Sequence, residues 1–224
     1  EAEFEDATNL GNISDACGIT AVDYIDVAVG SCPIIVTRTW TITDACGNTN
    51  SCIQTINVDD TTPPVITTCP ADIVDFAVPL NCGKIITYPL PTFTDACPTV
   101  IVQTDGSGLT SGQLFPVGVT TQTYLITDGC GNTATCSFTV TIIDNQDPII
   151  TGCPADIIVS NSAGNCGNNV PWVVPTATDN CPGLTFVSTN APGSFFPVGT
   201  TTVTYTATDA SGNTATCSFD VTVN

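Results

Sequence analysis

Residues 200–223 read TTTVTYTATDASGNTATCSFDVTV, and this stretch decides the fold. Val203, Tyr205 and Ala207 alternate with threonine. After a short break, Cys217, Phe219, Val221 and Val223 alternate in the same way. A period of two puts one set of side chains on each face of an extended strand. The break, DASGN at 209–213, carries the Gly and Asn that a tight turn needs, so the two runs form a hairpin. The turn phrase TDASGNTATC at 208–217 has two earlier copies, TDGCGNTATC at 127–136 and TDACGNTNSC at 43–52.

Other phrases recur with the same spacing. DTTPPVITTCPADI at 60–73 returns as DNQDPIITGCPADI at 144–157, and FTDACP at 93–98 as ATDNCP at 177–182. FPVGVTTQTY at 115–124 returns as FPVGTTTVTY at 196–205. The shift of about 81–84 residues marks tandem domains. The expected division is 1–58, 59–143 and 144–224, the first of these incomplete. Segments such as VPWVVP at 170–175 and LTFVST at 184–189 add further strands. Short strands with frequent turns, in units of about 80 residues, predict small β-sandwiches.

Composition narrows the function. The 224 residues include 13 cysteines, which points to an oxidising, extracellular setting where disulfides staple small cores. Twenty-one acidic residues face two basic ones, Arg38 and Lys84, with no histidine, for a net charge of −19. That field repels nucleic acid and anionic membranes and suits cations. No apolar run is long enough to span a bilayer as a helix. With no imidazole to activate a nucleophile, and acids confined to domain tips rather than a cleft, an enzyme is not expected.

CPADI, ATDNCP and FPVGTTTVTYTATDASGNTATCSFDVTV resemble the hyalin repeat (HYR) domain, an immunoglobulin-like module of extracellular and adhesion proteins. The resemblance covers the second and third repeats. The first, with SCPIIVTRTWTITDACGNTNSC, resembles the variant found in very long repeat proteins on bacterial surfaces, particularly those of gliding bacteria. Nothing before Asp15 matches PPVITTCPADI. Three readings of that stand open: a cut from a longer chain, a domain that tolerates an open edge, or a strand donated by another chain. The implied fold is all-β, with tandem Greek-key immunoglobulin-like sandwiches placed end to end on the cell surface or outside it. The implied partners are other copies of the chain or neighbouring repeats, and glycans or surface proteins.

Aligning the repeats implies a disulfide scheme: Cys97 with Cys136, Cys181 with Cys217, Cys17 with Cys52, Cys69 with Cys82 and Cys153 with Cys166. Cys32 and Cys46 remain to pair in the first repeat, and Cys130 stays unpaired.

In an immunoglobulin-like sandwich the domain entry, the loop after the second strand and the last hairpin turn share one end. In the second repeat those places hold Asp59 and Asp60, then Asp95, then Asp128 with Asn132. In the third they hold Asp144, Asn145 and Asp147, then Asp179 with Asn180, then Asp209 with Asn213. The first keeps Asp15, Asp44 and Asn48, with Glu5 or Asp6 as candidates for the entry. Converging carboxylates with almost no basic side chains predict a hard cation, and Ca²⁺ fits an oxygen-only set. Taken singly, each TDxxGN phrase reads as a turn former instead. Trp40 and Trp172 read as sandwich-core residues or as a sugar platform. Asn12-Ile13-Ser14 is a glycosylation sequon. The reading that follows is a calcium-rigidified, disulfide-stapled stalk or filament segment, with strand complementation as a route to assembly. The alternative is a glycan- or protein-binding module of a surface adhesin.

Overall fold

The computed structural model describes residues 15–224. The sequon at Asn12 and the candidates Glu5 and Asp6 lie outside these residues. Every regular element among the described residues is a strand. The first repeat forms β1 (Ile19–Val29), β2 (Ile34–Asp44) and β3 (Thr49–Val58). The second forms β4 (Val65–Thr68), β5 (Ile73–Phe76), β6 (Gly83–Ile86), β7 (Thr92–Thr94), β8 (Thr99–Gln103), β9 (Gln113–Pro116), β10 (Gly118–Asp128) and β11 (Thr133–Ile143). The third forms β12 (Ile149–Thr151), β13 (Ile157–Val159), β14 (Gly167–Asn169), β15 (Thr176–Thr178), β16 (Thr185–Ser188), β17 (Phe195–Pro197), β18 (Gly199–Thr208) and β19 (Thr214–Val223).

The chain divides into two compact units. One holds the described residues up to Cys69 with Pro91–Thr104 and Thr123–Cys136; the other holds Pro70–Leu90, Asp105–Gln122 and Ser137–Asn224. In the first unit β1, β2 and β3 form an antiparallel meander, with Tyr24 opposite Trp40 and Trp40 opposite Cys52. β4 pairs with β7, and β8 with the last part of β10.

The third repeat lies wholly in the second unit. Its four-stranded sheet runs β13-β19-β18-β16, with β13 parallel to β19, and two short ladders, β12-β15 and β14-β17, make the other layer. The alternating residues of the opening phrase face inward. Val203, Tyr205, Cys217, Phe219, Val221 and Val223 pack with Phe196 and Val170, and Trp172, Ile150 and Phe186 close the cluster. The second repeat shows the same order, β5-β11-β10-β8, with β5 parallel to β11 and β6 paired to β9. These are tandem immunoglobulin-like β-sandwiches.

The implied cysteine pairing is overturned. The bonds are Cys69–Cys136, Cys153–Cys217, Cys82–Cys181 and Cys32–Cys130. Cys130 is therefore bonded, and Cys17, Cys46, Cys52, Cys97 and Cys166 carry free thiols. The geometry explains why. β5 runs between Cys69 and Cys82, and β13 between Cys153 and Cys166, and even a short strand separates its two ends by about 10 Å. Cys97 sits in the loop beside the hairpin turn. Cys136 lies four residues into β11, about 10 Å along the strand, where it meets Cys69 just past β4.

Candidate functional site

The hairpin aspartates have a local task in all three repeats. Asp209 Oδ1 accepts from the Ser211 and Asn213 amides at 2.9 and 2.7 Å, and its Oδ2 from Asn213 Nδ2 at 2.7 Å. Asp128 does the same with Cys130 and Asn132, and Asp44 with Cys46 and Asn48. The glycine of each phrase, Gly47, Gly131 or Gly212, has φ between 84° and 93°, a conformation glycine adopts at least cost. This is why the phrase begins with aspartate: it ties its own turn. Burial alone would raise the Asp209 carboxyl, but the bonds from Asn213, Gly212 and Ser211 outweigh it and hold the group below the usual carboxylate range.

A second aspartate organises the neighbouring loop. The amides of Cys17, Cys97 and Cys181 donate to Asp15, Asp95 and Asp179 at 2.7, 2.7 and 2.8 Å. The entry segments are tied to the hairpins. Asn132 Nδ2 donates to the Asp60 carbonyl at 2.8 Å, and Asn213 Nδ2 to the Asp144 carbonyl at 3.2 Å.

The entry and loop acids do converge. Asp144 and Asp179 bring carboxylate oxygens within 4.8 Å of each other and of Cys181 Sγ; Asp60 and Asp95 do so beside Cys97. Asp44 lies in such a group with Cys17 and Cys46 rather than with Asp15. Among the described residues these groups do not include Asp128 or Asp209, nor the exposed Asp59 and Asp147; Asn145 is exposed as well.

The two acid pairs differ in one respect. Asp144 is 4% exposed, and its Oδ2, like Asp179 Oδ1, is buried without a hydrogen-bond partner. Asp144 Oδ1 accepts from Gln146 N at 3.2 Å and Asn180 Nδ2 at 3.3 Å. Cys181 is spent in its disulfide, so the free atoms are one buried oxygen on each carboxylate, a hard-donor set that suits a cation. At the other pair a thiol intervenes. The hydrogen bond to Asp60 is the largest of the effects that raise the Cys97 thiol, followed by burial and the nearby acids. The two basic side chains are engaged elsewhere, Arg38 with Asp26 at 2.9 Å and Lys84 with Asp75 at 2.6 Å. A cavity of about 260 Å³ opens beside Asp179, lined by Leu80, Gln146, Asp147, Ile149 and Asn180. Gln146 and the carbonyl of Asn81, to which Asn180 Nδ2 donates at 3.4 Å, were not legible as site residues; the linker position of Gln146 was the available signal.

The tryptophans are core residues. Trp40 is 6% exposed, and Trp172 packs edge-on against Phe196 and Phe219 while its indole N–H donates to Tyr205 at 2.7 Å.

Fold and loops together define a tandem array of disulfide-bonded β-sandwich repeats. The HYR domain model matches residues 59–142 and 143–223, and the chain belongs to the HYR family. It is 41% identical over 193 residues to hyalin of Strongylocentrotus purpuratus, covering 83% of this chain and 16% of that protein. It is 42% identical, again over 193 residues, to hyalin of Lytechinus variegatus, covering 83% of this chain and 36% of that protein. The chain thus spans well under half of either relative. Among solved structures, mouse cadherin-23 EC22–24 aligns with 86% of this chain and 74% of its own, at 14% identity and a TM-score of 0.34.

Proposed function

We propose that the chain is a structural and adhesive segment of an extracellular repeat array, its repeats spanning 1–58, 59–143 and 144–224. In this reading Asp144 and Asp179 hold a calcium ion at the entry of the third repeat. Family membership and the density of disulfides support the extracellular role. The observation that carries the calcium reading is the pair of buried, unpartnered oxygens Asp144 Oδ2 and Asp179 Oδ1. When bound, the ion supplies the positive charge these carboxylates lack. The protein's own contribution is to hold Asp144 through Gln146 and Asn180, and Asp179 through the Cys181 amide. Asp60 and Asp95 form a weaker second candidate, because the Cys97 thiol already donates there.

The first repeat favours a role in assembly. Its sheet β1-β2-β3 has, among the described residues, no parallel strand like β5 or β13, and Ile25 and Ile53 are each 71% exposed. Such a sheet accepts a strand donated by another chain. With Trp40 buried and the Trp172 indole N–H engaged by Tyr205, nothing at the tryptophans favours a glycan platform.

The test is thermal unfolding against CaCl₂ with MgCl₂ as control. A site of the weak extracellular type, with Kd of about 10⁻⁴–10⁻³ M, raises the Tm through the millimolar range, and Asp179→Asn abolishes the rise. A Tm unmoved by 10 mM Ca²⁺, with no heat of binding in calorimetry, would sink the reading.

A further inference from the structure

Two of the four disulfides leave the repeat in which they start. Cys82, inside the first HYR match, bonds Cys181 inside the second, and Cys32, upstream of both, bonds Cys130. Each link joins a donor cysteine in a turn to an acceptor cysteine beside an aspartate-tied loop.

The donor frame at Cys82 consists of three backbone bonds: Val78 N to Gly83 O at 3.1 Å, Asn81 N to Val78 O at 3.1 Å and Val117 N to Cys82 O at 3.3 Å. Cys166 sits in the same frame one repeat along. There Ser162 N bonds Gly167 O at 2.9 Å, Asn165 N bonds Ser162 O at 2.9 Å and Val198 N bonds Cys166 O at 3.1 Å. Cys82 is bonded, while Cys166 is exposed and free.

The acceptor frame also recurs. The Cys181 amide donates to Asp179, and the Cys17 amide makes the equivalent bond to Asp15. Cys17 is exposed and free, and so is Cys46, the equivalent of the acceptor Cys130; their sulfurs lie within 4.8 Å. The cluster around Cys32 shows that one donor reaches both acceptor positions. Cys32 is bonded to Cys130, and its Sγ lies 3.5 Å from that of Cys97, the equivalent of Cys17.

We propose that Cys166 of one copy and the Cys17/Cys46 pair of a second copy are two halves of one more repeat-to-repeat disulfide, linking chains covalently head to tail. The bond builds on the tandem-array reading and is independent of calcium. Its formation needs a disulfide oxidant of the glutathione class. An acceptor thiolate attacks glutathione disulfide and expels one glutathione; the Cys166 thiolate then attacks the mixed disulfide and expels the second. One S–S bond forms as one breaks, the oxidant takes two electrons, and both cysteine protons end on glutathione.

The experiment incubates the purified chain in a glutathione redox buffer with EDTA and follows it by non-reducing electrophoresis and peptide mass spectrometry. The expected result is a ladder of dimers and higher multimers that collapses with reductant and yields a peptide joining Cys166 to Cys17 or Cys46. Cys166→Ser alone, and the Cys17→Ser/Cys46→Ser pair alone, each abolish the ladder. Mixed in equal amounts, these two variants give one covalent heterodimer and nothing longer. A ladder that survives Cys166→Ser, linkage found only through Cys52, or a monomer with Cys17 bonded to Cys46 within one chain, would overturn the proposal. Because EDTA is present throughout, failure of the calcium reading leaves this result unaffected.

Discussion

Asp209 combines burial with charge, at 6% exposure. Three hydrogen bonds reach its two oxygens, and they keep its pKa below that of the unfolded chain, about 3.9. The linkage sign follows: a carboxyl depressed in the folded state contributes stability that is present above the unfolded pKa and lost as pH falls through the folded one. Asp44, held down first by the Asn48 side chain, and Asp128, where the Asn132 and turn hydrogen bonds outweigh burial, act in the same direction. We expect the Tm to hold steady from neutral pH to about 5 and to drop below about pH 4. Asp209→Asn should lower the Tm at pH 7 and flatten its own share of the acid slope, as read by calorimetry across that range. Gly167 shows a different constraint. A Cβ there would run into the Phe196 carbonyl and the Phe195 ring, and one at Gly83 would meet the Phe115 carbonyl. Alanine at either position should therefore part the β14-β17 or β6-β9 ladder, seen as lost amide protection in hydrogen exchange.

Homologous elements satisfy their buried polar groups differently. Where the third repeat sets Trp172 against Tyr205, the second sets the Tyr88 hydroxyl against Gln122 Oε1 at 2.7 Å, with Gln122 fully buried. The third repeat places Val203 where the second places Gln122, so each strand pair matches its own partner. Tyr205→Phe removes the acceptor from a part-buried indole N–H and should cost about 1–3 kcal/mol in urea unfolding. Gln122→Val should cost a similar amount, about 1–3 kcal/mol, because the Tyr88 hydroxyl loses that acceptor; adding Tyr88→Phe should recover part of it. Phe196→Ala, at the centre of the third-repeat core, should cost about 3–5 kcal/mol.

At the scale of the whole molecule, four disulfides add to the packing of the sandwiches. They close segments of 64, 67, 98 and 99 residues, and in the chain-entropy account each contributes about 4–5 kcal/mol. Reduction should therefore shift the urea midpoint well to the low side. Cys82→Ser, which cuts a single link between repeats, should take about a quarter of that shift. Full reduction with an unchanged midpoint would show that packing alone holds the sandwiches.

The all-β class, the hairpins, the repeats and the inward faces of β18 and β19 were legible in the residues, because period-two alternation and an Asp-x-x-Gly-Asn turn are written within ten neighbours of each strand. The convergence of Asp144 with Asp179 and of Asp60 with Asp95 was legible too, once the loops were assigned to one end. Three matters were left to the tertiary structure: that Asp44, Asp128 and Asp209 spend their oxygens on their own turns, that among the described residues the buried oxygens without a partner fall on Asp144 and Asp179, and which cysteine meets which. A repeated spacing aligns Cys97 with Cys181 whether its partner lies in the same repeat or the one before. Only the path of β5 and β13, which carries Cys82 and Cys166 away from Cys69 and Cys153, separates the two. Local pattern sets which face a side chain takes; partners far apart in sequence are chosen by where the folded strands deliver their ends.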